Sequence, residues 1–161
     1  MPETGRLWAP WRSRFIRTSL KRRRACIFCR AASRGDDRTR HVVGRGEHVF
    51  CLLNRYPYTN GHAMIAPYRH VGQLERLNEP EWLEMLRMSR QLLQRLRRVL
   101  HQQGFNLGMN LGRSAGSGIP GHVHLHLVPR WVGDTNFMSI AGDARVLSQS
   151  LDELYGLLKE P

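Results

Sequence analysis

Three histidines recur at every second position, His122, His124 and His126, inside the run Gly121-His-Val-His-Leu-His-Leu-Val-Pro129. A period of two is strand geometry, so the imidazoles share one face while Val123, Leu125 and Leu127 share the other. The apolar face can anchor in a core, and the opposite face then presents a row of rings. Neutral imidazole is a nucleophile and a metal ligand, and its protonated form binds anions near physiological pH. One such histidine is most simply a solvated edge-strand residue; three in strict alternation point to chemistry. A second chemical feature is the pair Cys26-Ile-Phe-Cys29, at the spacing of a metal knuckle.

The chain of 161 residues fits a single domain with its own core. We read residues 1–25 as a basic N-terminal segment, 26–140 as the core that carries the histidine row, and 141–161 as a C-terminal helix. Three cysteines are too few and too odd for a disulfide scaffold, and no run approaches the length of a membrane helix. The N-terminus lacks a charged-then-apolar leader pattern, so the expected location is cytoplasmic.

The net charge is +12, from 25 Lys and Arg against 13 Asp and Glu. A field of this sign attracts phosphorylated ligands. Much of it clusters before residue 31 and again at Arg87, Arg90, Arg95, Arg97 and Arg98. No RRM, KH or helix-turn-helix signature accompanies the charge, so nucleic acid is only weakly supported as a partner.

Short apolar runs at His48–Leu53 and His62–Ala66 flank the turn-rich Asn54-Arg-Tyr-Pro-Tyr-Thr-Asn-Gly61, which predicts antiparallel strands joined by a loop. A long helix is expected next. Asn78 can cap it, Glu81 completes a capping box, and Pro80 sits in the first turn. Trp82, Met85, Leu86, Leu92, Leu93, Leu96, Val99 and Leu100 then form a stripe, and Gly104 is the expected stop. Phe105–Asn110 reads as a strand, Gly112–Gly118 as a glycine-rich loop, and Val146–Leu158 as a last amphipathic helix. Leu7, Trp8, Trp11, Phe15 and Ile16 are expected to pack across the domain. Strands, a helix and strands again, without a repeated βαβ unit, indicate an α+β fold with an antiparallel sheet.

His-x-His-x-His followed by two apolar residues resembles the signature of the histidine triad (HIT) superfamily of nucleotidyl hydrolases and transferases. Asn54–His62, Pro67-Tyr-Arg-His-Val71 and Pro129-Arg-Trp-Val-Gly-Asp-Thr-Asn-Phe137 fit the same family in the expected order. Leu7-Trp-Ala-Pro-Trp-Arg12 and Gly133–Phe137 look most like its bacterial diadenosine tetraphosphate phosphorylase-like branch. The resemblance implies a sheet of about five strands with one long helix and a C-terminal helix. It also implies a homodimer.

It further implies that His124 attacks the α-phosphorus of a nucleotide and becomes nucleotidylated, with a backbone carbonyl on a neighbouring element holding its other nitrogen. His126 would donate to phosphate oxygens, and His62 would orient the catalytic groups, with His122 completing the row. Gly116, Ser117 and Gly118 could offer further donors to phosphate. Asn54 matches a nucleoside-contacting position. Asn110 and Ser117 stand about where fragile-histidine-triad relatives carry glutamines. Relatives often complete a Cys2His2 site, here Cys26, Cys29, His70 and His122, which implies a structural zinc ion. Cys51 reads as core, and His41, His48 and His101 as surface or packing residues. Trp131, Asp134, Asn136 and Phe137 either close over the site or wall the triad strand.

The function expected is cleavage of a dinucleoside polyphosphate, diadenosine tetraphosphate foremost, with phosphate or water as acceptor. Hydrolysis of a nucleoside phosphoramidate is the enzymatic alternative, and a non-catalytic nucleotide- or RNA-binding zinc module the alternative of another class.

Overall fold

A computed structural model of the chain describes residues 26–33, 35–134 and 147–159. The expected packing of Leu7 to Ile16, the positions of Asn136 and Phe137, and the proposed helix start at Val146 fall outside those residues. Five strands form one antiparallel sheet: β1 (Val42–Arg45), β2 (Val49–Leu53), β3 (Ala63–Pro67), β4 (Gly104–Gly108) and β5 (Leu125–Arg130), in the order β1-β2-β3-β5-β4. The helices are α1 (Ile27–Ala32), α2 (Glu79–Leu100) and α3 (Leu151–Lys159). This is the expected α+β architecture. Helix α3 starts later than the apolar pattern suggested, because Leu147–Ser150 is not helical.

Strands β2 and β3 are buried along their whole length, so alternation sorts their side chains between two cores. Val49, Cys51, Leu53, Ala63 and Ile65 meet Met85, Leu92 and Leu96 of α2 and Leu154 and Leu158 of α3. Phe50, Leu52, Met64 and Ala66 face the other way and pack with Phe28 and Ala31 of α1. Cys51 is core, as expected.

The start of α2 follows the sequence closely. The Asn78 side chain accepts from the Glu81 amide, the Glu81 carboxylate accepts from the Asn78 amide, and Pro80 lies in the first turn. Its end does not. His101, not Gly104, takes the left-handed conformation that closes the helix (φ 49°), and Gly104 already opens β4. Within the stripe, Leu86 is exposed, while Met88, outside the expected pattern, is buried.

Candidate active site and metal centre

The histidine row enters the sheet differently from a continuous strand. Only His126 lies within β5, opposite Met64 of β3; His122 and His124 precede it in an extended lead-in. The ladder stops there for a physical reason. Pro67, at the end of β3, has no N–H to give, and its carbonyl is taken by the His122 ring. Alternation nevertheless persists: Val123 and Leu127 are buried in the α2-side core, and the rings face away from it.

Each ring is held by partners that admit one tautomer. The His122 Nε2–H donates to the Pro67 carbonyl at 2.9 Å, which leaves its Nδ1 as a lone pair. The His124 Nδ1–H donates to the His122 carbonyl at 2.8 Å, which leaves its Nε2 as a lone pair. The carbonyl that orients His124 therefore comes from the lead-in itself, not from a neighbouring element. An imidazole two residues along an extended chain lies within reach of that oxygen.

His62 follows Gly61, whose φ of +77° places it where a Cβ would collide with Leu100. The His62 Nδ1 accepts from the Tyr58 amide at 3.1 Å and from the Asn54 side-chain amide at 3.2 Å. Its proton must then sit on Nε2, which donates to the His126 Nδ1 at 2.9 Å. His126 in turn carries its hydrogen on Nε2. The Tyr58 ring stacks on His62, with centroids 4.5 Å apart.

Burial keeps these rings uncharged. His62 is 1% exposed; burial, then the nearby His126 and His124, push its pKa down to about 3. Burial, then His124, pushes His126 down to about 4. Burial likewise lowers His124, against the opposing effect of its bond to the His122 carbonyl. A neutral His124 offers a fixed nucleophilic nitrogen, and the neighbouring His126, with centroids 4.7 Å away, offers an N–H donor.

On the other side of His122, four donor atoms converge. Cys26, Cys29, His70 and His122 each supply one within 4.8 Å of the rest. The His122 Nδ1 lies 3.4 Å from Cys26 Sγ and 3.8 Å from Cys29 Sγ, and His70 Nδ1 lies 3.2 Å from Cys29 Sγ. A tetrahedral ion with Zn–N and Zn–S bonds of about 2.0–2.3 Å sets neighbouring donors about 3.3–3.8 Å apart. The four residues named from sequence are thus brought together, with three separations near that range and the His122 lone pair turned toward the thiols.

Two arginines hold the segments that carry these ligands. Arg45 donates to the Ala31, Ala32 and Ser33 carbonyls at the end of α1 and pairs with Asp37 at 2.7 Å. Arg69, beside His70, forks onto the Glu81 carboxylate at 2.9 and 2.8 Å, the same carboxylate that caps α2.

The remaining predicted positions distribute unevenly. Asn54 reaches His62 and also accepts from the Tyr56 amide. Asn110 follows the end of β4 and is half-buried. Gly116, Ser117 and Gly118 lie in the turn-rich loop that leads into His122, where the Gly116 and Ser117 amides bond back to Arg113 and Gly112. Among the described residues, the Ser117 Oγ is the buried side-chain polar atom without a partner. Asp134 pairs with Arg130 at the end of β5, and Trp131 donates to it from its backbone. His41 meets Asp152 of α3 at 3.3 Å, away from the row. Sequence reasoning missed Phe28 and Tyr58, whose rings pack on the histidines. An aromatic residue inside a Cys-x-x-Cys pair was the available signal for the first.

The fold and site define an antiparallel sheet that holds two neighbouring buried histidines, His124 and His126, next to a cluster of two cysteines and two histidines that could hold a metal. The family model described as HIT domain matches residues 36–132, and the chain belongs to the HIT family. It is 37% identical over 159 residues to an AP-4-A phosphorylase of Mycobacterium tuberculosis, spanning 95% of this chain and 82% of that relative. It is 32% identical over 83 residues to an asymmetrical bis(5'-nucleosyl)-tetraphosphatase of Schizosaccharomyces pombe, 52% of this chain and 45% of that one. A Zn-bound histidine triad family protein of Mycobacterium smegmatis superposes with a TM-score of 0.65 at 25% identity, covering 88% of this chain and 92% of that one.

Proposed function

We propose that this protein cleaves dinucleoside polyphosphates, with diadenosine tetraphosphate as substrate, through a nucleotidyl-histidine intermediate on His124. The observation that carries the reading is the His124 ring itself, whose Nδ1–H rests on the His122 carbonyl and whose Nε2 is therefore a lone pair beside the His126 N–H. The Nε2 attacks the α-phosphorus, and the bond to the leaving ATP breaks with its electron pair on ATP. The nucleotidylated ring then bears positive charge at Nδ1–H, where the carbonyl dipole stabilises it. The His126 Nε2–H, with the unpartnered Ser117 hydroxyl and the amide of Gly118, would bind phosphate oxygens as charge builds in the transition state. Attack by phosphate or water expels neutral His124 and yields ADP or AMP. Asn54, through His62, acts on the orientation of His126, and Asn110 would offer its amide to the substrate.

Cys26, Cys29, His70 and His122 would hold zinc. Four protein ligands close the coordination sphere, so the ion would stabilise the fold and join α1 to the lead-in of β5 without activating water. Both His122 nitrogens are then occupied. Thiol ligands must stay reduced, which supports a cytoplasmic location. The exposed edge of β4 with Leu107, and Leu83 and Leu86 on α2, support a homodimer, testable by light scattering.

The test is incubation with diadenosine tetraphosphate, with and without phosphate, and chromatography of the products. ADP plus ATP formed only with phosphate identifies a phosphorylase. AMP plus ATP in either case identifies a hydrolase. His124→Asn must abolish both, and turnover by that variant would overturn the assignment of the nucleophile. No turnover by the wild type would redirect the search to nucleoside phosphoramidates.

A further inference from the structure

The helix that carries the two thiols also carries Phe28, which is fully buried. Its ring packs on His124, with centroids 4.6 Å apart at 36°, and on His122 at 5.0 Å and 46°. His124 is therefore flanked by Phe28 and by His126, whose ring meets it edge-on at 4.7 Å. This packing matters because a torsion from a tetrahedral carbon to an aromatic ring is broad. The bond from Nδ1–H to the His122 carbonyl fixes which nitrogen is free but leaves the ring room to swing. Neighbouring rings remove that room.

Helix α1 has two ends, and they are held differently. Arg45 binds the carbonyls at its C-terminal end. Its N-cap, Cys26, makes no side-chain capping bond, and what faces it is the His122 ring. A metal shared by Cys26, Cys29, His70 and His122 would therefore anchor the end that bears Phe28.

We propose that Phe28 is a positioning residue that couples the Cys/His cluster to the nucleophile: seating the thiols on metal presses its ring against His124 and aims Nε2. The proposal rests on the reading of His124 given above. A misplacement of about 1 Å in a reacting atom can slow a step about 100-fold. Replacing the ring with a flexible aliphatic chain should therefore slow nucleotidylation while leaving substrate binding alone.

The test compares wild type with Phe28→Leu, each with metal and after chelation. Adduct formation on diadenosine tetraphosphate is followed by mass spectrometry, metal content by release into a colorimetric chelator, and the tautomer and mobility of the His124 ring by imidazole NMR. Phe28→Leu is expected to retain metal and to keep KM within about threefold, while adduct formation slows about 10- to 100-fold. Its His124 ring signals should broaden with motion, while the hydrogen stays on Nδ1. Chelation should slow the wild type by a similar factor and change Phe28→Leu little further.

A Phe28→Leu rate within twofold of wild type would overturn the proposal. So would equal slowing of both proteins by chelation, or His124 ring signals as sharp as the wild type's in a slowed variant. If Phe28→Leu does not fold, the chelated wild type decides: full adduct formation together with an unchanged His124 pattern overturns the coupling. If metal-loaded wild type forms no adduct at all, the functional reading fails, and the NMR comparison still tests whether Phe28 seats the ring.

Discussion

Replacing His62 tests whether tautomers are set in series across this site. Its Nε2–H is the donor that occupies the His126 Nδ1, at 2.9 Å, and so keeps the single His126 ring N–H hydrogen on Nε2. In His62→Leu that donor is gone, and His126 can move its hydrogen to the buried side, presenting an acceptor to phosphate. A buried hydrogen bond that loses its partner costs about 1–3 kcal/mol, which corresponds to about 5- to 150-fold in rate. The effect should fall on kcat, because the donor matters most when charge develops on the phosphoryl oxygens. The Tyr58 amide and the Asn54 side chain also lose their acceptor, so stability should drop, by about 1–3 kcal/mol for each group left unpaired. Rates must therefore be read well below the melting temperature, which is measured in parallel. His62→Gln supplies an acceptor oxygen and an N–H on a chain of similar reach. It should recover about a tenth or more of wild-type kcat. Wild-type kcat in His62→Leu, or equal loss in the leucine and glutamine variants, would refute the chain of tautomers.

Three further outcomes are expected. The Glu84 carboxylate accepts from three successive amides, of Glu47, His48 and Val49, at 2.8, 2.5 and 2.9 Å; Glu84→Gln should cost about 2 kcal/mol, or about 4–8 °C, by calorimetry. Burial pushes that carboxyl up, but the three amides outweigh it and hold it below its ordinary value. Its contribution is therefore present above the unfolded-state pKa and is lost as pH falls through the folded one. Chelation should lower the melting temperature of the wild type and leave a Cys26→Ala, Cys29→Ala double variant unmoved. His62 and His126, depressed to about 3 and about 4, stay neutral in the fold where the unfolded chain takes up protons, so stability falls as pH drops below about 6.5. Between about pH 7.5 and 5.5 the two should together cost up to about 3 kcal/mol in denaturant titrations.

Helix α2 was legible because a capping box and a 3.6-residue stripe are local signals that the tertiary fold reinforces. Strand β1 was not singled out. It has four residues, includes Gly44, and shifts register between Val42 and Gly44, so no alternation survives to be read. The closing of α2 by His101, an exposed residue in a left-handed conformation, ran against the preference for glycine. In the site, the five histidines His62, His70, His122, His124 and His126 and the two cysteines were legible by type and spacing. The groups that orient them were not, because the carbonyls of Pro67 and His122 and the amide of Tyr58 belong to the backbone and leave no mark on residue type.

Those backbone groups explain how one residue type, repeated at a period of two, can serve three purposes. A carbonyl on Nε2 turns the His122 lone pair toward the thiols. A carbonyl on Nδ1 turns the His124 lone pair the opposite way along its ring, into the site. A donor on Nδ1, delivered through His62 from a backbone amide, leaves the His126 N–H on Nε2, the donor proposed above to meet phosphate. Exchanging any one of these partners would leave three histidines in place and remove a ligand, a nucleophile or a donor. The repeat thus requires burial as well as spacing: a charged imidazolium carries hydrogens on both nitrogens, and the distinctions that backbone partners impose on the neutral rings would vanish.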